Sequence, residues 1–127
     1  ITFRYGYAGS GENGGAIAIG GEAPYSASPT IRNCIFYDNE ALGSGGAIYN
    51  DGNTMTLSLC GSRIESNEVN AYGSAIFFVS NDRSGTLRIE DSVLRRNPSD
   101  GFETRGFPGI FYLGSGPPQV SNSVLEP

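Results

Sequence analysis

The chain has 127 residues, of which 19 are glycine and 17% are charged, and its formal net charge is −5. This length suits one domain with a core, and few charges with many glycines favour tight turns over amphipathic helices. With only eight basic residues, all arginine, and a net charge of −5, the sequence shows no large basic patch, so we expect no nucleic acid partner. There is no histidine, so we expect no histidine-containing catalytic triad and no zinc site with an imidazole ligand.

One short segment recurs along the chain, starting at its first residue. Each copy has an apolar residue near its centre, and three copies carry an asparagine three positions later, at Asn39, Asn67 and Asn97. These asparagines are 28 and 30 residues apart. In chain order the copies are "ITFRYG" (1–6), "CIFYDN" (34–39), "SRIESN" (62–67), "SVLRRN" (92–97) and the shortened "SVLEP" (123–127).

A second segment follows the first in each full unit. In chain order it reads "GGAI" (14–17), "GGAI" (45–48), "GSAI" (73–76) and a divergent "FPGI" (107–110). The two segments define about four units of roughly 28–34 residues, each expected to carry two or three short strands. The divergence at Phe107 and Pro108 predicts a distorted bend or a loop there.

Repeats of this length are typical of solenoids. Helical repeats need longer stretches of helical periodicity than the Gly, Asn and Pro residues leave, and propeller blades need hairpins and a longer period. The sequence therefore predicts an all-β fold, a right-handed single-stranded parallel β-helix over residues 1–127. Each unit forms one turn, and each strand pairs with its equivalent in the next turn about 4.8 Å away.

In such a fold, equivalent residues of successive turns stack in columns. We expect Asn39, Asn67 and Asn97 to form a corner ladder, because asparagine tolerates a left-handed backbone and its amide can bond to the amides above and below. Gly6 meets the backbone requirement only, and the paired glycines form the next bend. The predicted inward columns are Phe36, Ile64 and Leu94; Ile17, Ile48, Ile76 and Ile110; and the small residues Ala16, Ala47, Ala75 and Gly109.

The pairing of "GGAI" with "FYDN" in the second unit resembles the repeats of polymorphic outer membrane proteins. It is similar as well to a broader class of secreted or surface-anchored right-handed β-helix repeat proteins of environmental bacteria and archaea. The resemblance covers nearly the whole chain, although both motifs are complete only in the second unit. It implies an extracellular or cell-surface passenger or stalk for adhesion or surface architecture, without a conserved catalytic site.

Parallel β-helices also carry pectate lyases and polygalacturonases, in which clustered aspartates hold calcium or act as acid and base and an arginine can abstract a proton. One interpretation of the outward polar column is therefore a groove for an acidic sugar, with Arg95 as base. The other is a ladder of alternating charges that fixes strand register, and the alternation of sign favours it. The column contains Arg4, Tyr37, Glu65, Arg95 and Glu126, with Arg63 and Glu90 on the same or an adjacent strand.

The remaining candidates for metal or redox chemistry are few. Asp51, Asp82 and Asp100 lie beside Gly, Asn or Ser and are expected in solvated turns, so we expect no metal and no cofactor. Cys34 and Cys60 are offset by two positions on neighbouring turns, which favours free thiols over a disulfide.

The strand after the second segment carries large side chains on both faces. Only one face can point inward, so the other forms an outward aromatic stripe of Tyr49, Phe77 and Phe111. The stripe would stack on sugar rings, contact a partner, or be covered by the long segments 21–30 and 101–109. The two alternating sets are Ala18, Tyr49, Phe77 and Phe111, and Ile19, Asn50, Phe78 and Tyr112.

The sequence shows no secretory leader, no apolar run that could span a bilayer and no terminal cap, so we expect no membrane insertion. It opens at Ile1 and stops within a partial repeat, which predicts either a segment of a longer solenoid or a unit that assembles end to end. These features favour a non-catalytic extracellular or cell-surface scaffold, structural or adhesive, that self-associates through its ends or its aromatic stripe. The alternative is a carbohydrate-active β-helix, lyase-like or sugar-binding, with a polysaccharide partner.

Overall fold

The computed structural model of the chain describes residues 1–20 and 27–127. The first turn contains β1 (Thr2–Arg4), β2 (Tyr7–Ala8), β3 (Ile17–Gly20) and β4 (Thr30–Arg32). The second contains β5 (Ile35–Tyr37), β6 (Glu40–Ala41), β7 (Ile48–Gly52) and β8 (Thr56–Cys60). The third contains β9 (Arg63–Glu65), β10 (Glu68–Val69), β11 (Ile76–Ser80) and β12 (Thr86–Glu90). The fourth contains β13 (Val93–Arg95), β14 (Ile110–Leu113) and β15 (Gln119–Ser121), and β16 (Val124–Leu125) begins another.

Strands at equivalent positions of successive turns pair in parallel and form four sheets. Sheet A contains β1, β5, β9, β13 and β16; sheet B contains β2, β6 and β10; sheet C contains β3, β7, β11 and β14; and sheet D contains β4, β8, β12 and β15. In sheet A, Phe36 pairs with Phe3 on one side and with Ile64 on the other. The described residues form no helix. The predicted parallel β-helix is confirmed as a β-solenoid of about four turns.

Each of the first three turns has four strands among the described residues, rather than the predicted two or three. The additional strands include those of sheet B, which are only two residues long. A strand that short has no apolar alternation for a sequence pattern to reveal. The fourth turn has no strand in sheet B, and residues 98–109 form turns there, so the loop predicted around Phe107 and Pro108 is confirmed.

The core lies inside the solenoid and draws on alternate residues of sheets A, C and D. The predicted inward columns are confirmed: Phe36, Ile64 and Leu94 have no exposed surface. Burying each such side chain contributes about 1.5–3 kcal/mol to folding. The remaining fully buried large apolar residues of sheets C and D are Ile48, Ile76, Phe78, Ile110, Leu57, Leu59, Leu87 and Ile89.

The left-handed residues at the asparagine corner are not the asparagines. Positive φ angles occur one position earlier, at Tyr5 (60°), Asp38 (52°), Ser66 (57°) and Arg96 (55°). The sequence-based explanation of the asparagine column by backbone conformation is therefore wrong. After Asp38, Ser66 and Arg96 the following asparagine points its side chain into the corner, where its amide donates to a backbone carbonyl of the neighbouring turn.

The paired glycines of the second unit meet two different requirements. Gly45 has a φ of 70°, which glycine adopts without steric cost, so the predicted bend is confirmed. Gly46 lacks space for a side chain, because a Cβ atom there would lie within 2.5 Å of the Ser74 and Glu68 carbonyl oxygens. Ser74 holds the equivalent position of the third turn, where its hydroxyl bonds to Asn97 and Ser99 of the diverging fourth turn.

Asn50 is a polar residue in an apolar column. It lies in register between Ile19 and Phe78, and its side chain points into the core with no exposed surface. Neither its amide nitrogen nor its amide oxygen has a hydrogen-bond partner among the described residues. An unpaired buried amide costs about 1–3 kcal/mol of folding free energy.

We therefore expect Asn50→Leu to raise the free energy of unfolding by about 1–2 kcal/mol, because leucine has a similar shape without the desolvated amide. Urea denaturation followed by circular dichroism measures the change. Asn50→Ala is the matched control, since it removes the amide but leaves a void, and it should stabilise less than leucine. If Asn50→Leu destabilised the chain instead, the Asn50 side-chain amide would have hydrogen-bond partners in the folded protein.

Cys34 and Cys60 are both free thiols. Cys60 pairs with Arg32 in the parallel register, so Cys34 lies two positions further along the neighbouring turn, the offset that the repeat register predicts. Within residues 1–20 and 27–127 no helix has the length and apolarity needed to cross a membrane.

Candidate functional site

The polar column predicted on the outer face of the solenoid lies on sheet A. Arg4, Tyr37, Glu65 and Arg95 pair in register on four successive turns. The Arg4 guanidinium lies over the Tyr5 ring, 4.6 Å from its centroid, and 5.9 Å from that of Tyr37. The column therefore changes from cation–π contacts in the first two turns to ion pairs in the third and fourth.

Glu65 is the centre of an arginine cluster. Its Oε1 accepts hydrogen bonds from Arg63 Nη2 (2.6 Å) and Nε (3.0 Å) and from Arg95 Nε (3.1 Å). Its Oε2 accepts one from Arg96 Nη2 at 3.1 Å. The Glu65 side chain is only 10% exposed, whereas those of Arg63, Arg95 and Arg96 are 49%, 37% and 62% exposed. We call Glu65 and these three arginines the arginine cluster.

The structure brings together the three polar candidates Arg63, Glu65 and Arg95 and adds Arg96, which the sequence did not single out. Arg96 follows β13 with a left-handed backbone, and its guanidinium reaches across to the carboxylate of the previous turn. The Arg95–Arg96 pair was visible in the sequence, but strand alternation would place Arg96 on the opposite face from Arg95. Glu90 lies apart on sheet D, 4.0 Å from Arg88.

The arginines determine the ionisation of Glu65. Burial by itself would raise the pKa of the Glu65 carboxyl, but hydrogen bonds and charge attraction from Arg63 and Arg95 outweigh it and hold the pKa below its ordinary value. The carboxylate is therefore charged at neutral pH and joins two turns of the solenoid.

The free energy of unfolding should fall with acid more steeply in the wild type than in Glu65→Gln. Because the pKa of Glu65 is lower in the folded chain, its contribution is complete above the ordinary value of 4.5 and is lost as the pH falls through the folded value. At neutral pH the variant should be less stable by about 1–2 kcal/mol, a discounted figure because the arginines are partly solvated. Urea titrations at several pH values measure this, and parallel pH dependences in the two proteins would contradict it.

The predicted asparagine column forms a continuous hydrogen-bonded ladder beside this cluster. Asn67 Oδ1 accepts from the Asn39 backbone N–H (2.9 Å) and from Asn39 Nδ2 (3.0 Å). Asn97 Oδ1 accepts the equivalent pair from Asn67, at 3.0 Å each. Gly6 ends the ladder by donating its backbone N–H to Asn39 Oδ1. All three asparagine side chains are buried and paired, which gives them a structural position without access to a ligand.

The aromatic stripe on the outer face of sheet C is a stack of rings. The centroids of Tyr49 and Phe77 are 4.8 Å apart and those of Phe77 and Phe111 are 5.4 Å apart, with nearly parallel planes. Tyr72 tilts against Phe111, and Phe102 of the 101–109 segment packs edge-on against Tyr72. The stripe is half-buried and partly covered by its own chain. Most of the other predicted covering segment, residues 21–26, lies outside the described residues.

The three aspartates expected in solvated turns lie in different surroundings. Asp51 lies in β7 rather than in the predicted turn, and its carboxylate accepts hydrogen bonds from the Tyr49 hydroxyl (3.2 Å) and Asn81 Nδ2 (2.8 Å). Burial, followed by the Asp51 charge, raises the pKa of Tyr49, so its hydroxyl stays protonated as the donor. Asp82 and Asp100 are in turns. In the part of the chain that the structure describes, no three His, Cys, Asp or Glu side chains are grouped to hold a metal ion.

Comparisons of the chain with protein-family models, with curated proteins and with solved structures gave no match. The fold class therefore depends on the strand pairing of this chain, a parallel β-solenoid of about four turns.

Proposed function

We propose that the chain is a non-catalytic scaffold, structural or adhesive, of a cell surface or the extracellular space. The observation that supports this best is the pairing of Glu65, whose carboxylate accepts four hydrogen bonds from three arginines. The Glu65 carboxylate, which could have served as an acid or base, instead holds two turns of the solenoid together.

Acid–base chemistry fits the cluster poorly. A general acid near neutral pH needs a raised carboxyl pKa, and the pKa of Glu65 is lowered. Arg95 Nε already donates to Glu65 Oε1 at 3.1 Å, so this nitrogen is engaged by the carboxylate and is not available to a substrate. The same contacts suit a ladder that fixes strand register.

The location and assembly mode belong to the same proposal. The "GGAI" and "FYDN" motifs of the second unit resemble repeats of polymorphic outer membrane proteins, and this resemblance supports a secreted or surface-anchored passenger or stalk with a right-handed solenoid. Self-association, end to end or through the aromatic stripe, would extend such a scaffold. Phe77 stacks on Tyr49 on one side and on Phe111 on the other, so both faces of its ring are occupied. The aromatic stripe therefore suits contact with another apolar surface better than stacking on a sugar ring.

The alternative is a carbohydrate-active β-helix, favoured by partly exposed arginines on one face and aromatic rings on another. Incubation of the full chain with polygalacturonate, a sulfated glycan and a neutral glucan separates the two proposals. The scaffold should release no reducing ends and no unsaturated uronates. Product formation that Arg95→Gln abolishes, and that the exposed-site control Arg83→Gln retains, would replace the scaffold with a lyase-like enzyme.

A further inference from the structure

The arginine cluster carries a local positive charge on an acidic chain. Three guanidinium groups surround one carboxylate, so the cluster has a net charge of +2, although the chain as a whole has −5. At physiological salt, charges more than about 8 Å away are largely screened. An anion beside Arg63 and Arg95 on sheet A therefore responds mainly to the cluster, whereas an anion beside Arg96 also meets the carboxylates of Asp38 and Glu68.

The cluster has hydrogen-bond donors that Glu65 does not use. Glu65 engages Nε and Nη2 of Arg63, Nε of Arg95 and Nη2 of Arg96. The other guanidinium N–H groups of these residues make no hydrogen bond with any described residue, and the side chains are 37–62% exposed. Planar guanidinium groups with paired free donors match the oxygens of a carboxylate or a sulfate group.

A depression of about 420 Å³ adjoins the cluster at Arg96 and is lined by Asp38, Ser66, Glu68, Arg96, Pro98 and Pro127. Its carboxylates can accept hydrogen bonds from hydroxyl groups, and they repel a ligand with closely spaced negative charges. This combination favours an acidic sugar, with one anionic group and several hydroxyls per unit, over a phosphate backbone.

We propose that the arginine cluster binds the anionic group of an acidic polysaccharide, a carboxylate or a sulfate, through Arg63, Arg95 and Arg96. Glu65 is a positioning residue that keeps the three like charges together. The inference rests on the proposed function, because it assigns an adhesive scaffold its partner.

The test measures binding of the full chain to immobilised polygalacturonate and dextran sulfate, with neutral dextran as the uncharged control. The wild type should bind at least one of the two anionic polymers and not the neutral one, and affinity should fall with added salt. The double variant Arg63→Gln, Arg96→Gln should lose about tenfold or more in affinity, since each glutamine removes a charge-assisted contact.

Arg83→Gln is the matched control. Arg83 is exposed, has a φ of 60° close to that of Arg96, and has the same charge to lose, but it lies outside the cluster. Its variant should bind within about twofold of the wild type. If the double variant does not fold by circular dichroism, Arg96→Gln alone serves, because its amide can still donate to Glu65.

Several results would overturn the site: no binding to either polymer, equal losses in the cluster and control variants, or tighter binding of single-stranded DNA than of both polymers. A preference between polygalacturonate and dextran sulfate identifies the anionic group. Binding accompanied by cleavage would keep the site and overturn the scaffold. If the chain neither binds nor cleaves the polymers, the proposed binding site is wrong and the scaffold proposal is unaffected.

Discussion

Asn67→Ala is expected to lower the free energy of unfolding by about 3–5 kcal/mol, because several buried polar groups lose their partners at once. Asn67 has no exposed surface and lies at the centre of the asparagine ladder. Its oxygen accepts from the backbone and side chain of Asn39. Its Nδ2 donates to the carbonyl oxygens of Phe36 (3.2 Å) and Glu65 (3.0 Å). Alanine replaces none of these bonds.

The size of this loss is large relative to the chain. Domains of this length are stable by only about 5–15 kcal/mol, so the variant should unfold at much lower urea concentration or fail to accumulate. Asn70→Ala is the matched control, because Asn70 is exposed and lies in the same turn of the solenoid as Asn67. It should change stability by less than about 0.5 kcal/mol. Similar urea midpoints for the two variants would show that the ladder does not hold the turns together.

Gly46→Ala is expected to destabilise the chain by about 3 kcal/mol or more, although alanine is the smallest possible addition. The new Cβ atom would overlap the carbonyl oxygens of Ser74 and Glu68, both in the adjacent turn. Glu68 lies in the paired strand β10, and the Ser74 carbonyl accepts the Ala47 N–H at 3.0 Å, so neither oxygen can move aside without breaking hydrogen bonds between turns. The loss should appear as a reduced urea midpoint and a lower melting temperature.

Gly9→Ala provides the comparison for this substitution. A Cβ atom at Gly9 would meet Glu12 at 3.8 Å and Tyr7 at 3.9 Å, which are ordinary contacts. Its effect should stay within about 0.5 kcal/mol, because alanine also reduces the freedom of the unfolded chain. If Gly46→Ala were equally mild, the turns would have to be further apart in solution than the described contacts allow.

The architecture was readable from the sequence because a parallel solenoid repeats its chemistry at every turn. Stacking places equivalent residues in the same environment, so the apolar positions, the glycine bends and the asparagines recur at the spacing of the turns. Even the departures were informative. "GSAI" carries Ser74 next to the diverging fourth turn, and "FPGI" lies at the end of the loop that replaces a strand of sheet B.

The sequence by itself determined the solenoid, its columns and its outward polar and aromatic faces, since these depend on residue type and period. The tertiary structure decided which residues meet across turns. The left-handed backbone of Arg96 brings it to Glu65, Tyr72 tilts against Phe111 of the aromatic stripe, and Phe102 packs on Tyr72. Non-repeating contacts leave no period in a sequence, so only the folded chain showed the arginine cluster on which the proposed partner depends.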